Sequence, residues 1–301
     1  MKICENQTTE YHSANFTEHE TAWTPAPTTF DNGDEIREGH YIYKYAGVSG
    51  TNTTDAPFDG STDWLIQRAT NYYAMLDSRP ESKTKTQTTN PDAIIIEMDL
   101  NNYDTIALLN LDAISVRIEI TDLNTNTAVY DETFDLNDSD KIVDALSYYF
   151  SPFSFKKTVY ETIPLYGNAR AKIWINKPLS EAKCGRLVLG QSYDLGISLF
   201  NINSTLESYS TTTFDQFGTP TLRPRDAVYN STYTILLPSE RTENIKRTRK
   251  RLDAVPILFI GDENDSSKYE NLLSYGLWQT ATMRLKNPVK TEMSLSTKEL
   301  I

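Results

Sequence analysis

The chain has 301 residues, a formal net charge of −12 and a hydrophobic share of 39%. This acidic balance argues against a nucleic-acid-binding protein, which would present a basic face to the phosphates, and the 11% aromatic share, with 18 Tyr, argues against a disordered chain. Two cysteines, Cys4 and Cys184, are too few and too far apart for a disulfide framework or a zinc site.

The first 40 residues are polar and show no sustained hydrophobic period. They contain no apolar core of signal-peptide length, and no stretch of the chain approaches the roughly 20 apolar residues that a membrane helix needs. We therefore expect a soluble protein without an export signal. Residues 1–40 are predicted to be an extended arm that becomes ordered only on a neighbouring molecule.

Residues 41–80 combine a short aromatic strand at 41–45 with Gly, Asn, Thr and Pro residues typical of loops, which predicts a small strand-and-loop module. Beyond it, apolar and polar residues alternate at 94–100 and 114–121, the pattern of half-buried strands. Turn residues then precede a returning segment at 127–134, so this region is predicted to form a hairpin.

Further elements are predicted along the rest of the chain, which includes a polar, loop-like stretch at 202–226. The clearest helix begins at Ser239 or Glu240 and runs to about Leu252, because this segment combines helix-forming residues with a plausible start signal. The compact apolar run at 255–260 is typical of a central strand. Other segments are assigned as strands at 170–176, 187–189 and 277–285, and as short helices at 140–149 and 266–274.

Many short strands with few helices predict a mainly β fold. We expect a β-sandwich core of jelly-roll or galactose-binding-like type, a smaller α+β C-terminal domain and the extended N-terminal arm. The predicted divisions of the chain are 1–40 for the arm, 41–80 for the strand-and-loop module, 81–205 for the β-sandwich and 206–301 for the C-terminal domain.

The sequence contains no recognisable catalytic motif. All three histidines fall in the predicted arm, and there is no phosphate-binding Gly-Lys-Thr loop, dinucleotide glycine pattern or His-Glu-x-x-His pair. General acid–base or nucleophilic catalysis needs such groups within hydrogen-bond reach of one another. We therefore expect neither enzymatic activity nor a metal or cofactor.

Two groups of residues are candidates for binding. The aromatic residues Trp64, Tyr72 and Tyr73 could stack on sugar rings, although core packing is the commoner use of such side chains. A basic run could dock on an acidic partner, a protein ring being a better match than DNA for so acidic a chain, but charge runs are usually the solvated face of a helix. That run consists of Arg241, Lys246, Arg247, Arg249, Lys250 and Arg251.

Residues 63–77 carry a more specific signal. Asp-Trp-Leu at 63–65, followed by Ala-Thr-Asn-Tyr-Tyr-Ala-Met-Leu-Asp at 69–77, resembles a segment of a family of tailed-bacteriophage virion (tail or collar) structural proteins of uncharacterised function. In that family a Trp precedes a Gly-Pro-Thr-Asn-Arg-aromatic-Ala-Met-Phe-Asp run. Here Tyr72 replaces the usual Arg, Leu76 replaces Phe, and Gln-Arg at 67–68 replaces Gly-Pro. The resemblance extends in order over roughly 41–285, and it implies a virion location and a β-sandwich core, with no catalytic residues to carry over.

These observations favour a non-enzymatic structural component of a phage tail: a tail adaptor, collar or fibre-anchoring protein. It would be made in the host cytoplasm and bind copies of itself in a ring, together with other tail proteins such as the portal, tail tube or fibres, but neither nucleic acid nor membrane. The alternative is a β-sandwich module of the tail that binds host-surface glycans, which requires Trp64, Tyr72 or Tyr73 to form an exposed platform. A third hypothesis, a depolymerase or peptidoglycan hydrolase, would need two carboxylates at a suitable separation in a cleft.

Overall fold

The structure is a computed structural model and describes residues 1–7, 10–16, 18, 21–24, 28–53, 56–58, 61–77, 87–137, 144, 149–150, 155–199, 202–225, 227–261, 272–285 and 289–300. The predicted mainly β fold class is confirmed, and the antiparallel sheets are consistent with a β-sandwich. None of the helices in these ranges has the length and apolarity needed to cross a lipid bilayer.

The strands are, in chain order, β1 (Lys2–Glu5), β2 (Ser13–Ala14), β3 (Thr28–Phe30), β4 (Glu35–Glu38), β5 (Tyr41–Tyr45), β6 (Thr51–Thr53), β7 (Trp64–Ala69), β8 (Thr88–Leu100), β9 (Thr105–Asp112), β10 (Ser115–Asp122), β11 (Thr127–Asp135), β12 (Thr158–Thr162), β13 (Ala169–Gly190), β14 (Ser192–Asp194), β15 (Ile197–Ser198), β16 (Asn203–Ser208), β17 (Thr211–Phe214), β18 (Pro220–Arg223), β19 (Ala227–Pro238), β20 (Ile257–Ile260), β21 (Leu273–Leu285) and β22 (Lys290–Glu299). A helix, α1 (Thr242–Arg251), follows a 3₁₀ turn at Ser239–Arg241.

The chain divides into two compact units: Gln7–Leu189, and Met1–Asn6 together with Gly190–Ile301. This division differs from the predicted boundaries at 40/41, 80/81 and 205/206. The first six residues belong to the C-terminal unit because β1 pairs antiparallel with both β14 and β20. The boundary between Leu189 and Gly190 falls at the end of β13, a strand of the seven-stranded sheet. The next strand, β14, belongs to the eight-stranded sheet.

The unit Gln7–Leu189 is built on a seven-stranded antiparallel sheet. Its order is β11-β10-β13-β8-β2, and β9 joins β13 to β12. As the alternation in the sequence predicted, Ile118 and the alternate residues on the same face of β10 are buried in the core. The predicted hairpin of β10 with β11 is also confirmed. Each fully buried aliphatic side chain of this kind contributes roughly 1.5–3 kcal/mol through removal from water.

Two small sheets in the same unit include residues of the predicted arm. Strand β3 pairs with β6, and β4, β5 and β7 form a three-stranded sheet. Phe30 and Ile36 are buried beside the aromatic residues of β5 and β7, and Tyr11 and Phe16 are buried in the core of the larger sheet. The prediction of an extended arm is therefore wrong for these segments, because a few well-spaced apolar residues anchor an otherwise polar stretch.

The C-terminal unit is an eight-stranded antiparallel sheet ordered β14-β1-β20-β21-β22-β19-β15, with β16 also paired to β19. The predicted central strand is confirmed as β20, whose four residues are all buried between β1 and β21. The predicted helix is confirmed as the 3₁₀ turn and α1, which bury Ile245 and Leu252 against the core of this sheet.

Three other predicted segments have different outcomes. The loop predicted at 202–226 is wrong, because β16, β17 and β18 lie there. Thr, which recurs in this stretch, is β-branched and suits strands. The helix predicted at 140–149 lies almost entirely outside the described residues. For the helix predicted at 266–274, residues 266–271 also lie outside them, and β21 has begun at Leu273.

Candidate interaction surfaces

Trp64 is a core residue of the three-stranded sheet. It lies at the start of β7, opposite Tyr45 of β5, and its exposed fraction is 4%. Its ring meets Phe30 edge-on, with centroids 5.0 Å apart and an interplanar angle of 78°, and meets Tyr45 at 4.9 Å and 61°. Edge-to-face contact is a preferred geometry for buried aromatic pairs. Both ring contacts are internal, so Trp64 cannot provide an exposed stacking face for a sugar.

Tyr72 and Tyr73 lie in the turn that follows β7, and both are half-buried. The Tyr72 ring contacts Tyr11 and Phe16 edge-on, at centroid distances of 5.1 and 5.6 Å. The Tyr73 ring stacks on His40 at 4.3 Å with an interplanar angle of 20°. Trp64 thus belongs to the core of the three-stranded sheet, whereas Tyr72 and Tyr73 are partly buried against the core of the larger sheet, and the structure does not bring the three together as one exposed platform.

The turn at 70–77 is fastened to β8 by hydrogen bonds that use the side chain of Asn71. Its Oδ1 accepts from the Thr89 N–H at 2.8 Å, and its Nδ2 donates to the Thr89 carbonyl at 3.0 Å. Across the turn, the Glu18 carboxylate accepts the N–H groups of Asn71, at 3.1 Å, and Tyr72, at 2.5 Å. These contacts give the conspicuous Thr-Asn-Tyr-Tyr sequence a role in holding the turn.

Thr88 continues the same network inside the core. Its Oγ1 donates to the Asn71 carbonyl at 2.8 Å and accepts from the Met75 N–H at 3.2 Å. Asp77, which is also buried, accepts a hydrogen bond from the Tyr41 hydroxyl at 3.3 Å. Buried polar groups are stable only when they are paired in this way. The turn at 70–77 is thus an architectural element of this chain.

Most of the predicted basic docking group is already paired. Arg241 contacts Asp194 at 3.1 Å, and Lys246 contacts Glu243, one turn earlier, at 2.7 Å. Exposed ion pairs of this kind are worth little individually, at a median of roughly 0–1 kcal/mol. Their presence on this surface indicates a solvated helix face.

The two arginines toward the end of α1 also have internal partners. Arg249 contacts Asp253 at 2.8 Å and donates to the Gln279 carbonyl at 3.0 Å. Arg251 contacts Glu5 of β1 at 2.6 Å. Arg247 and Lys250 are exposed, and among the described residues no acidic group pairs with them. Of the six basic residues, only these two project without such a partner, which weakens the case for a concerted basic docking site.

The described titratable groups do not assemble a metal site, since no group of three or more His, Cys, Asp or Glu within the described ranges could hold an ion. The pKa of the Glu161 carboxyl is raised, first by partial burial and then by the neighbouring charge of Glu132. Glu132 lies on β11, is exposed and accepts a hydrogen bond from Tyr130 at 2.7 Å.

A projecting hairpin is the surface that sequence reasoning missed. Strands β17 and β18 form a two-stranded sheet of their own, with Thr212 opposite Leu222 and Phe214 opposite Pro220. Every residue from 208 to 225 is exposed. The available signal was the β-branched run Thr-Thr-Thr before Phe214, a composition that favours a strand, but the surrounding Ser, Gly and Pro residues obscured it.

The two faces of this hairpin differ in polarity. Directly opposed residues share a face, and alternate residues along a strand point to opposite sides. One face therefore carries Thr212, Phe214, Pro220 and Leu222, and the other carries Thr211, Thr213, Thr221 and Arg223. Phe214 and Leu222 are each 70% exposed, and Phe217 in the turn is 83% exposed. The hairpin is an amphipathic ribbon whose apolar face is uncovered within the described chain.

Neither the protein-family models, nor the curated proteins, nor the solved structures contain a match to this chain.

Proposed function

We propose that the protein is a non-enzymatic structural component of a tailed-phage virion, acting in assembly as a tail adaptor, collar or fibre-anchoring protein. In this role it is made in the host cytoplasm and incorporated into the tail. It binds copies of itself in a ring and neighbouring tail proteins, such as the portal, tail tube or fibres. The resemblance centred on 63–77 supports the virion location, and the exposed hairpin supports the role in assembly.

The hairpin at 208–225 is the observation that carries the assembly role. An isolated two-stranded hairpin is at best marginally stable in water, and here the apolar side chains of Phe214, Phe217 and Leu222 are left in solvent. Exposed apolar patches on folded proteins often mark surfaces that bind other proteins. A subunit that covers this face would remove apolar area from water and stabilise the ribbon at the same time.

The glycan-binding alternative has lost its structural basis at the residues that suggested it. It required an exposed aromatic platform, whereas Trp64 is buried and the half-buried Tyr72 and Tyr73 rings pack against Tyr11 and His40. No other described feature favours glycan recognition, so the assembly role is the better-supported proposal.

Antibody labelling of intact virions, imaged by electron microscopy, tests this proposal. The phage that encodes the chain is purified, and mass spectrometry establishes whether the protein is present in the particles. We expect label on a ring near the head–tail junction, and no label on particles grown without the gene. Label confined to fibre tips would replace the adaptor role with receptor binding. Absence from the particles, with the protein abundant in infected cells, would overturn the structural role.

A further inference from the structure

We infer that the hairpin at 208–225, the hairpin arm, is a docking arm for a second copy of this chain. Its apolar face and two arginines would bind an acid-rich surface of the neighbouring copy. This inference rests on the proposed assembly function, and it adds the surface and the partner. The contact is heterologous, since an arm on one copy meets a different surface on the next, and repetition of such a contact builds a ring when the rotation closes.

The hairpin arm has a shape fixed by its own hydrogen bonds. In the turn, the Asp215 carboxylate accepts the N–H groups of Phe217 at 2.8 Å and Thr219 at 2.9 Å, and Gly218 takes a left-handed φ of +80°. At the base, the Ser210 hydroxyl donates to the Arg225 carbonyl at 3.1 Å and accepts from its N–H at 3.0 Å. A binding element formed in advance loses less conformational entropy when it docks.

The apolar face supplies the contact that such an arm needs. Phe214 and Leu222 lie on it, with Phe217 at the tip, and each is at least 70% exposed. Aromatic residues are enriched among those that dominate binding energy at protein interfaces. The opposite face carries Thr213 directly across from Thr221, and Arg223 lies on it as well. The ribbon therefore presents an apolar face and a polar face that ends in a positive charge.

The charge of the hairpin arm indicates which kind of molecule it binds. The hairpin arm carries one acid, Asp215, whose carboxylate is occupied by turn amides, and two exposed arginines, Arg223 and Arg225. Neither arginine has an acidic partner in the part of the chain that the structure describes. The arm is thus locally basic, whereas the chain as a whole carries −12. Complementary charge steers association and fixes orientation, so a basic arm favours docking on another copy of this acidic chain.

The chain itself presents an acidic, exposed strand edge. Among the described residues, β11 is the outermost strand of its sheet and pairs with β10. It exposes Glu132, which accepts a hydrogen bond from the Tyr130 hydroxyl, and Asp135, which accepts one from the Asn137 N–H. A free strand edge offers backbone groups that can pair with a strand from another chain. The edge of β11 therefore supplies both the charge and the backbone that would receive Arg223 and Arg225 of a neighbouring copy.

Sedimentation velocity of the purified full chain over a range of concentrations tests the inference. We expect the wild type to form concentration-dependent oligomers. The double variant Phe214→Ser/Leu222→Ser should weaken self-association by about tenfold or more, as loss of two central apolar contacts does. The matched control Thr213→Ser/Thr221→Ser alters the opposite face of the same strands and should associate like the wild type. Arg223→Glu/Arg225→Glu should weaken association most at low salt, since exposed charges are screened at high salt.

The substituted side chains are exposed, so the variants should retain the far-UV circular dichroism and thermal midpoint of the wild type. If the double variant does not fold, Leu222→Ser alone provides the same test. A wild type that stays monomeric at the highest attainable concentration, or an apolar-face variant that associates like the wild type, would overturn the inference. A monomeric protein still found in virions would leave the assembly role intact, whereas arm-dependent oligomers absent from virions would overturn the virion role and not the arm.

Discussion

Replacement of Trp64 by alanine distinguishes a core residue from a ligand-binding residue most directly. The side chain is almost fully buried and makes edge contacts with Phe30 and Tyr45. Its neighbour Leu65, which lies on the same strand with 49% of its surface exposed, supplies a matched control. We expect Trp64→Ala to destabilise the three-stranded sheet β4-β5-β7 strongly, and Leu65→Ala to affect it much less.

The magnitude follows from the buried area and the two ring contacts. A Trp side chain buries roughly 200 Å², which at about 25 cal/mol per Å² corresponds to roughly 5 kcal/mol as an upper bound. Measured Trp→Ala substitutions in protein cores cost about 3–5 kcal/mol. We therefore expect a loss of about 4 kcal/mol for Trp64→Ala, and about 1 kcal/mol or less for Leu65→Ala.

Hydrogen–deuterium exchange of β5 and β7 is the appropriate measurement, because it reports local opening as well as global unfolding. A loss of about 4 kcal/mol corresponds to roughly a thousandfold faster exchange of the most protected amides in these strands. Urea denaturation followed by circular dichroism gives the accompanying change in the free energy of unfolding.

Equal exchange in the Trp64→Ala and Leu65→Ala variants would refute the core assignment of Trp64. Loss of binding to a host glycan by a Trp64→Ala variant that exchanges like the wild type would go further. It would require the ring to be accessible, and so restore the glycan-binding alternative.

Two further predictions concern buried groups in the two units. Burial raises the pKa of the Cys184 thiol from 9.0 to about 12. Because the unfolded chain ionises this thiol at a lower pH than the folded protein does, the thiol's contribution to stability is complete below about pH 9 and is lost as the pH rises towards 12. The free energy of unfolding should therefore fall with pH in this window by up to about 1.4 kcal/mol per pH unit more in the wild type than in Cys184→Ala, and parallel urea midpoints for the two proteins would contradict it. At Gly276, an added Cβ would overlap the backbone carbonyl of Lys298 on the paired strand, so Gly276→Ala should cost about 1–3 kcal/mol or more in thermal unfolding. In the control Gly167→Ala, the nearest atom is the movable side-chain Oδ1 of Asn102 at 3.1 Å, and similar losses in both variants would show that the close approach at Gly276 is not what matters.

Local pattern predicted the elements whose residues alternate strictly. The strands around 94–100 and 115–122 bury alternate residues as predicted, although Ile114, just before the second strand, is 40% exposed, and the returning strand pairs as expected. The helix after Pro238 was also predictable, because its helix-forming composition and sequence boundaries are local properties. The mainly β fold class follows from the number of such segments.

Pairings between strands that are distant in sequence could not be predicted from local pattern. Nothing local to Lys2–Glu5 reveals that this strand pairs with Ser192–Asp194 and with Ile257–Ile260. For the same reason the exposure of Trp64 could not be predicted, since it depends on Phe30, which is brought beside it by the fold.

The sequence by itself determined that this chain forms many antiparallel strands, because period-2 alternation and β-branched content act within each strand. Tertiary structure alone decided which apolar residues are covered. Phe30 and Trp64 are enclosed by partners from other strands, whereas Phe214 and Leu222 belong to a ribbon that pairs with no other described strand and leaves both side chains exposed. Whether an apolar residue is buried depends on its packed neighbours and not on its own type. Burial by such neighbours is what separates a core aromatic from an interaction surface.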